Sequence, residues 1–226
     1  PENLSEYIYG DPASTKKVTS DYTVIQRWGF DSEMNMYLID AYRDKLESLE
    51  RVNLYVNIAK QSKNLKGAKY EVIGGRHGDL ENIRQEFIKA TLPLSPSETK
   101  ATVASKRDRI EQRLVGQFHA GKIFLPRKLN KVYKHNGKSY DFIQEYLLEL
   151  RQFPFSEHDD ILDCHSQAFD GTYIQKGGSA SKPKTEDNEF NWWRQMAIDY
   201  RKGNRSRFVF GSRGKCYGVP AIKSFR

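Results

Sequence analysis

Cysteine is nearly absent from this 226-residue chain. Cys164 and Cys216 are its only two, too few for a disulfide framework, and no Cys/His spacing suits zinc. Long apolar runs are missing as well: nothing approaches the ~20 residues a helix needs to cross a bilayer, and no leader pattern opens the chain. There is no Gly-x-x-x-x-Gly-Lys-Ser/Thr loop of the kind that cradles nucleotide phosphates. Hydrophobic residues make up only 38% of the chain, enough for one good-sized core and a small appendage. These absences set the expectation of a soluble, intracellular protein, neither secreted nor membrane-bound. Cys164 lies in an apolar helical pattern and reads as a core residue.

Charge is present and unevenly placed. The net charge is +8, yet residues 1–170 carry 25 Lys/Arg against 25 Asp/Glu, and residues 171–226 carry 12 against 4. A neutral body with a basic end points to polyanion contact concentrated late in the chain. A local patch over residues 99–114, with Lys100, Lys106, Arg107, Arg109 and Arg113, reads as a basic helix whose Val103, Ile110 and Leu114 share one side. It is either a solvated face or a phosphate contact.

Periodicity predicts one alternating α/β unit. Strands are expected over residues 6–11, 22–28 and 36–40, joined by short loops into an antiparallel meander. A helix over 46–61 follows, then a strand over 68–73 closed by Gly74-Gly75, then a helix over 79–90. Residues 91–96 read as loop or edge, and 121–126 as a short extended piece. Residues 128–138 read as a basic hairpin turning at Asn136-Gly137, and 140–151 as an amphipathic helix. Residues 177–187 form an expected linker. The basic, aromatic end contains a short helix with Phe190, Trp193, Ala197 and Tyr200 on one side, suited to nucleic acid or to docking.

The densest chemistry lies in residues 144–163, where Phe153-Pro154 stops one helix and Asp159, Asp160 and Asp163 crowd the first turn of the next beside His158. Like charges packed so closely repel unless a cation or protons neutralise them. Oxygen-only clusters suit Mg²⁺ or Mn²⁺. A competing explanation is a helix cap, with Ser156 and Asp159 at capping-box spacing and acids facing the helix dipole. Asp11, at the end of the first strand, is read as either a turn residue before Pro12 or a partner of that cluster.

Four segments resemble the nuclease domain of the large terminase subunit, the DNA-packaging motor of tailed bacteriophages. They are the strand ending in Gly10-Asp11-Pro12-Ala13, the run Ser20-Asp21-Tyr22-Thr23-Val24-Ile25, the strand Tyr37-Leu38-Ile39-Asp40, and Phe153-Pro154-Phe155-Ser156-Glu157-His158-Asp159-Asp160-Ile161-Leu162-Asp163. The resemblance spans residues 4–170 in order. It implies an α/β, RNase H-like fold, a central mixed β-sheet flanked by helices, for a domain over 1–170, leaving 171–226 as linker and basic tail.

The resemblance also implies a two-metal Mg²⁺ or Mn²⁺ site built from Asp11, a middle acid, and Asp159 or Asp160. Glu71 is the chosen middle acid, with Asp79 and Glu81 as rivals whose position suits helix caps. Asp163 is assigned a supporting or additional ligand role, and His158 an orienting or structural one. The implied activity is an endodeoxyribonuclease that cuts concatemeric viral DNA during packaging. The implied partners are double-stranded viral DNA, the portal protein, the small terminase subunit and an ATPase domain of the same polypeptide, with no membrane. The implied setting is the host cytoplasm, transiently docked on the procapsid. Because the chain opens on Pro1 and lacks the phosphate loop, it reads as an excised domain without ATP hydrolysis. Two other classes fit the acids: a junction resolvase or transposase-like nuclease, and a DNA-gripping or docking module without catalysis.

Overall fold

Residues 5–11 centre on the run Tyr7-Ile8-Tyr9 and are covered on both faces, so they form a strand in the middle of a sheet rather than at its border. This is β1 (Ser5–Asp11), buried throughout except at Asp11. The computed structural model describes residues 3–13, 22–72, 77–99, 105–170 and 174–177. The expectations placed on the loop 14–21, on Gly74-Gly75, on Lys100 and Val103, and on the linker and tail beyond residue 177 lie outside the described residues.

Thr23–Phe30 forms β2 and Met36–Asp44 forms β3. β2 pairs antiparallel with β1 on one side and with β3 on the other, as the meander predicted. A turn through Asp31 joins β2 to β3: its carboxylate accepts from the backbone N–H of Glu33 and Asn35 and from the Asn35 amide, an Asx-type closure. Next come α1 (Ser48–Lys60), β4 (Leu65–Tyr70) and α2 (Gly78–Lys89). β4 returns parallel to β1, and the two-residue β5 (Ser97–Glu98) adds parallel to β4. After α3 (Lys106–His119), β6 (Ile123–Phe124) pairs parallel with the start of β3. The order across the sheet is β5-β4-β1-β2-β3-β6. Three antiparallel strands continued by parallel crossovers beside the first is the RNase H-like arrangement, so the fold class read from the sequence is the one observed.

A separate hairpin, β7 (Asn130–Val132) and β8 (Ser139–Asp141), turns at Asn136-Gly137, where Gly137 adopts φ 70°, a conformation glycine reaches without Cβ strain. Two helices complete the described residues: α4 (Phe142–Gln152) and α5 (Asp160–Ser166), the latter followed by a single 3₁₀ turn over Gln167–Phe169. Most expected elements shift by a few residues. The basic helix moves furthest: Ser105 caps it by accepting from the Asp108 N–H, so it begins at Lys106.

Helices cover both faces of the sheet. On one face, Ile8 and Ile25 pack under Val52, Tyr55, Val56 and Ala59 of α1 and Leu80, Ile83 and Phe87 of α2. Gly10 also faces this side, and a Cβ there would stand 2.7 Å from the Tyr70 ring. The opposite face is sealed by α5. Gln26 donates to the Ile161 carbonyl at 2.9 Å, Trp28 stacks on His165 with centroids 4.2 Å apart, and the Cys164 thiol sits 3.6 Å from the carbonyls of Tyr9 and Val24. Cys164 is thus a core residue, as its pattern suggested. Beyond β6, the outer edge of β3 is closed by a side chain. The Tyr140 hydroxyl accepts from the Arg43 N–H at 2.9 Å and donates to the Arg43 carbonyl at 3.0 Å.

A candidate metal centre at the strand ends

Alternation along β1 sends Tyr7, Tyr9 and Asp11 to the α5 side of the sheet, and Asp11 is the last residue of its strand. Glu71 directly follows β4, its N–H donating to the Gly10 carbonyl at 2.8 Å. It stands just past the strand predicted to contain it. Parallel neighbours that end side by side therefore deliver two acids to the same edge. The third comes from α5. Carboxylate oxygens of Asp11, Glu71 and Asp163 all lie within 4.8 Å of one another.

The position of α5 explains why it is Asp163 that joins the pair. Helical spacing puts Asp160, Asp163, Cys164 and Gln167 on neighbouring faces toward the sheet. Cys164 goes into the core, and Gln167 donates to Glu71 at 2.9 Å. Asp163 is fixed between them. The Asp160 carboxylate is buried but accepts from the Tyr22 N–H at 3.1 Å and pairs with Lys106 at 3.2 Å. Asp159, the N-cap residue, is one-third exposed and lies 2.6 Å from Lys106. The structure thus groups Asp163 with Asp11 and Glu71, and sets Asp159 and Asp160, the sequence-chosen ligands, beside them around Lys106. The helix phase was the signal that could have separated these acids.

The rival middle acids have other partners. Asp79 accepts from Arg51 at 2.8 Å and from the Tyr70 hydroxyl at 3.0 Å, and also from Ser48. Glu81 pairs with Arg84 on the surface of α2. The expected Ser156–Asp159 capping box does not form. Ser156 donates instead to the His158 carbonyl, and the open N–H groups of Ile161 and Leu162 donate to Glu149 of α4 at 2.9 and 3.2 Å. Sequence reasoning missed Glu149, which looks like any helical glutamate until the two helices meet. His158 sets its ring edge-on to Tyr22 at 5.2 Å.

Electrostatics mark the cluster as short of positive charge. Burial first, then the charges of Glu71 and Asp163, hold the Asp11 carboxyl well above its usual range. Burial and Asp163 likewise raise Glu71, against the pull of Arg109 and Lys106. Two α3 cations, another feature sequence reasoning did not place here, answer part of the charge. Arg109 grips Asp163 through Nε at 2.9 Å and Nη2 at 2.5 Å, and Lys106 reaches Asp159, Asp160 and Asp163 at 2.6, 3.2 and 3.8 Å. For Lys106, burial opposes the charged form, but Asp160, Asp159 and Asp163 outweigh it and raise its pKa. Oxygen-only donors at this spacing match the ligand preference of Mg²⁺ or Mn²⁺. Asp11, Glu71 and Asp163 could hold such an ion.

No protein-family description and no curated protein matches the chain. Among solved structures, it is similar to the human cytomegalovirus terminase nuclease domain in a manganese-soaked form. The two are 15% identical with a TM-score of 0.49, over 75% of this chain and 83% of that one.

Proposed function

We propose that this chain is the nuclease domain of a large terminase subunit from a tailed bacteriophage, a metal-dependent endodeoxyribonuclease that cuts concatemeric viral DNA during genome packaging. One observation carries the reading: Asp11, Glu71 and Asp163 converge at the ends of β1 and β4 in an RNase H-like sheet. Buried acids are costly to assemble without a positive ligand. In a site of this donor type, divalent cations supply an activated water and stabilise the departing 3′ oxygen of a phosphodiester. The chain's own residues do the positioning. Asp11 and Glu71 present their carboxylates from strand ends, and Gln167 steadies Glu71. Asp163 approaches from α5, whose start is held by Glu149. Lys106 and Arg109 bring positive charge to the rim where a phosphate would lie.

The same reading makes double-stranded viral DNA the substrate. Its partners are the portal protein, the small terminase subunit and an ATPase domain of the same polypeptide, and its place is the host cytoplasm, transiently docked on the procapsid. Contacts of this kind follow the DNA backbone, so weak base preference is expected. Plasmid cleavage with Mn²⁺, Mg²⁺ or EDTA, comparing wild type with Asp11→Asn, tests it. Metal-dependent nicking and linearisation that the variant loses are expected. Cleavage retained by Asp11→Asn removes the metal assignment. DNA binding without cutting under any metal favours a gripping module, and a preference for branched DNA favours a resolvase-type enzyme.

A further inference from the structure

Asp163 is engaged twice. It is one of the three acids whose oxygens cluster within 4.8 Å, yet Arg109 already covers both of its oxygens, with Nη2 at 2.5 Å from Oδ1 and from Oδ2. Lys106, one turn earlier, touches Asp159, Asp160 and Asp163 together. Both cations stand in the opening turn of α3, where positive charge opposes the helix dipole. Their placement costs the helix something locally, and the neighbouring acids are what offsets it. Five carboxylates (Asp11, Glu71, Asp159, Asp160 and Asp163) face these two cations, so the neutralisation is incomplete.

We propose that Lys106 and Arg109 are the site's own exchangeable counter-ions: they hold its carboxylates when no divalent cation is bound, compete with that cation for Asp163, and give way when it binds. The inference rests on the metal reading above and adds how that site is regulated. A guanidinium and a divalent ion on the same carboxylate repel each other strongly in a partly desolvated setting. Metal on Asp163 therefore favours withdrawal of the Arg109 side chain, which α3 carries. Arg109 and Lys106 are positioning residues that act through Asp163, Asp159 and Asp160.

A purely structural Arg109 makes the opposite prediction. If the guanidinium merely aims Asp163 at the metal, its loss weakens metal affinity, as loss of an outer-shell partner does, by about 10–100-fold. If it competes, its loss strengthens affinity. Sign alone decides.

The experiment is a Mn²⁺ titration, free ion followed by electron paramagnetic resonance, on wild type, Arg109→Gln, Lys106→Gln and Asp11→Asn. Arg109→Gln is expected to bind Mn²⁺ about tenfold more tightly than wild type, the equivalent of one charge-assisted hydrogen bond. Lys106→Gln should shift in the same direction, and Asp11→Asn should lose binding. Arg109→Lys keeps the charge without the two-pronged grip. It serves if the glutamine variant does not fold, and a modest gain in affinity is expected of it. Unchanged or weaker Mn²⁺ binding in the folded Arg109 variants, with wild type binding and Asp11→Asn not, overturns the counter-ion role and leaves the metal site standing. Absence of binding in every protein, or equal binding by wild type and Asp11→Asn, overturns the metal reading and this inference with it.

Discussion

At the residue scale, Asp11 carries a charge that its surroundings resist. Burial and the neighbouring Glu71 and Asp163 hold its pKa well above the usual 3.8. A folded pKa above the unfolded one gives a contribution that is fully present below the unfolded value and lost as pH rises through the folded one. Ionising Asp11 therefore subtracts stability. Asp11→Asn should raise the melting temperature of the metal-free protein in EDTA, while abolishing the rise produced by Mn²⁺. A lower melting temperature in EDTA would mean that the carboxylate is a structural hydrogen-bond acceptor instead. Asp11 was legible because a strand ending in Gly-Asp-Pro announces its own boundary. Glu71 was legible as a position but sits just beyond its strand, a boundary that local pattern locates only to within a few residues. Choosing among Asp159, Asp160 and Asp163 required the phase of a short helix against the sheet, which seven residues carry only faintly.

At the scale of elements, α5 is the part on which the site depends, and it is held from several sides. Glu149 caps its first turn, Tyr146 bonds His165 at 2.7 Å, and Trp28 stacks on the same imidazole. Burial lowers the His165 pKa to about 3 from 6.5. A histidine kept neutral in the fold contributes stability above its unfolded pKa, and loses it as pH falls from 6.5 toward 3. The stability advantage of wild type over His165→Gln, measured by urea unfolding, should therefore narrow by about 2 kcal/mol between pH 7.5 and pH 5. A gap independent of pH would rule out a buried neutral imidazole. Glu149 is under a different strain. Burial pushes it up to about 8 against the pull of Arg43 and the two helix N–H groups. Removing it in Glu149→Ala should cost about 1–3 kcal/mol and weaken Mn²⁺ binding, since Asp163 rides on the helix it caps. The meander and its connections could be read in advance from β-branched runs and turn residues. The meeting of α3 with α5 could not, because basic and acidic helices more than 40 residues apart carry no local mark of each other.

At the scale of the whole molecule, the described body was expected to be electrically balanced, with the excess in residues 171–226. If DNA is the substrate, the tail should dominate the salt dependence of binding while the acids govern cutting. Replacing Arg201, Lys202, Arg205 and Arg207 by Gln should lower the slope of log K against log salt by about 0.9 for each phosphate no longer neutralised. Low-salt cleavage should persist. An unchanged slope would move the electrostatic contact to the α3 face and the hairpin. The six-strand mixed sheet with helices on both faces was legible in outline because strands and helices alternate with distinct periods. The two-residue β5 was not, being too short to show any period, whereas β6 falls inside the extended piece read over 121–126. The Tyr140 hydroxyl at the border of β3 bears on a different property of the molecule. An open strand edge invites another chain to pair with it, and here one phenol occupies both the N–H and the carbonyl of Arg43, with the Lys131–Asp40 ion pair beside it. Copies packed side by side at high local concentration thus find this border already taken. Tyr140→Phe would reopen it, and light scattering of concentrated variant should reveal slow edge-to-edge aggregation where the parent stays dispersed.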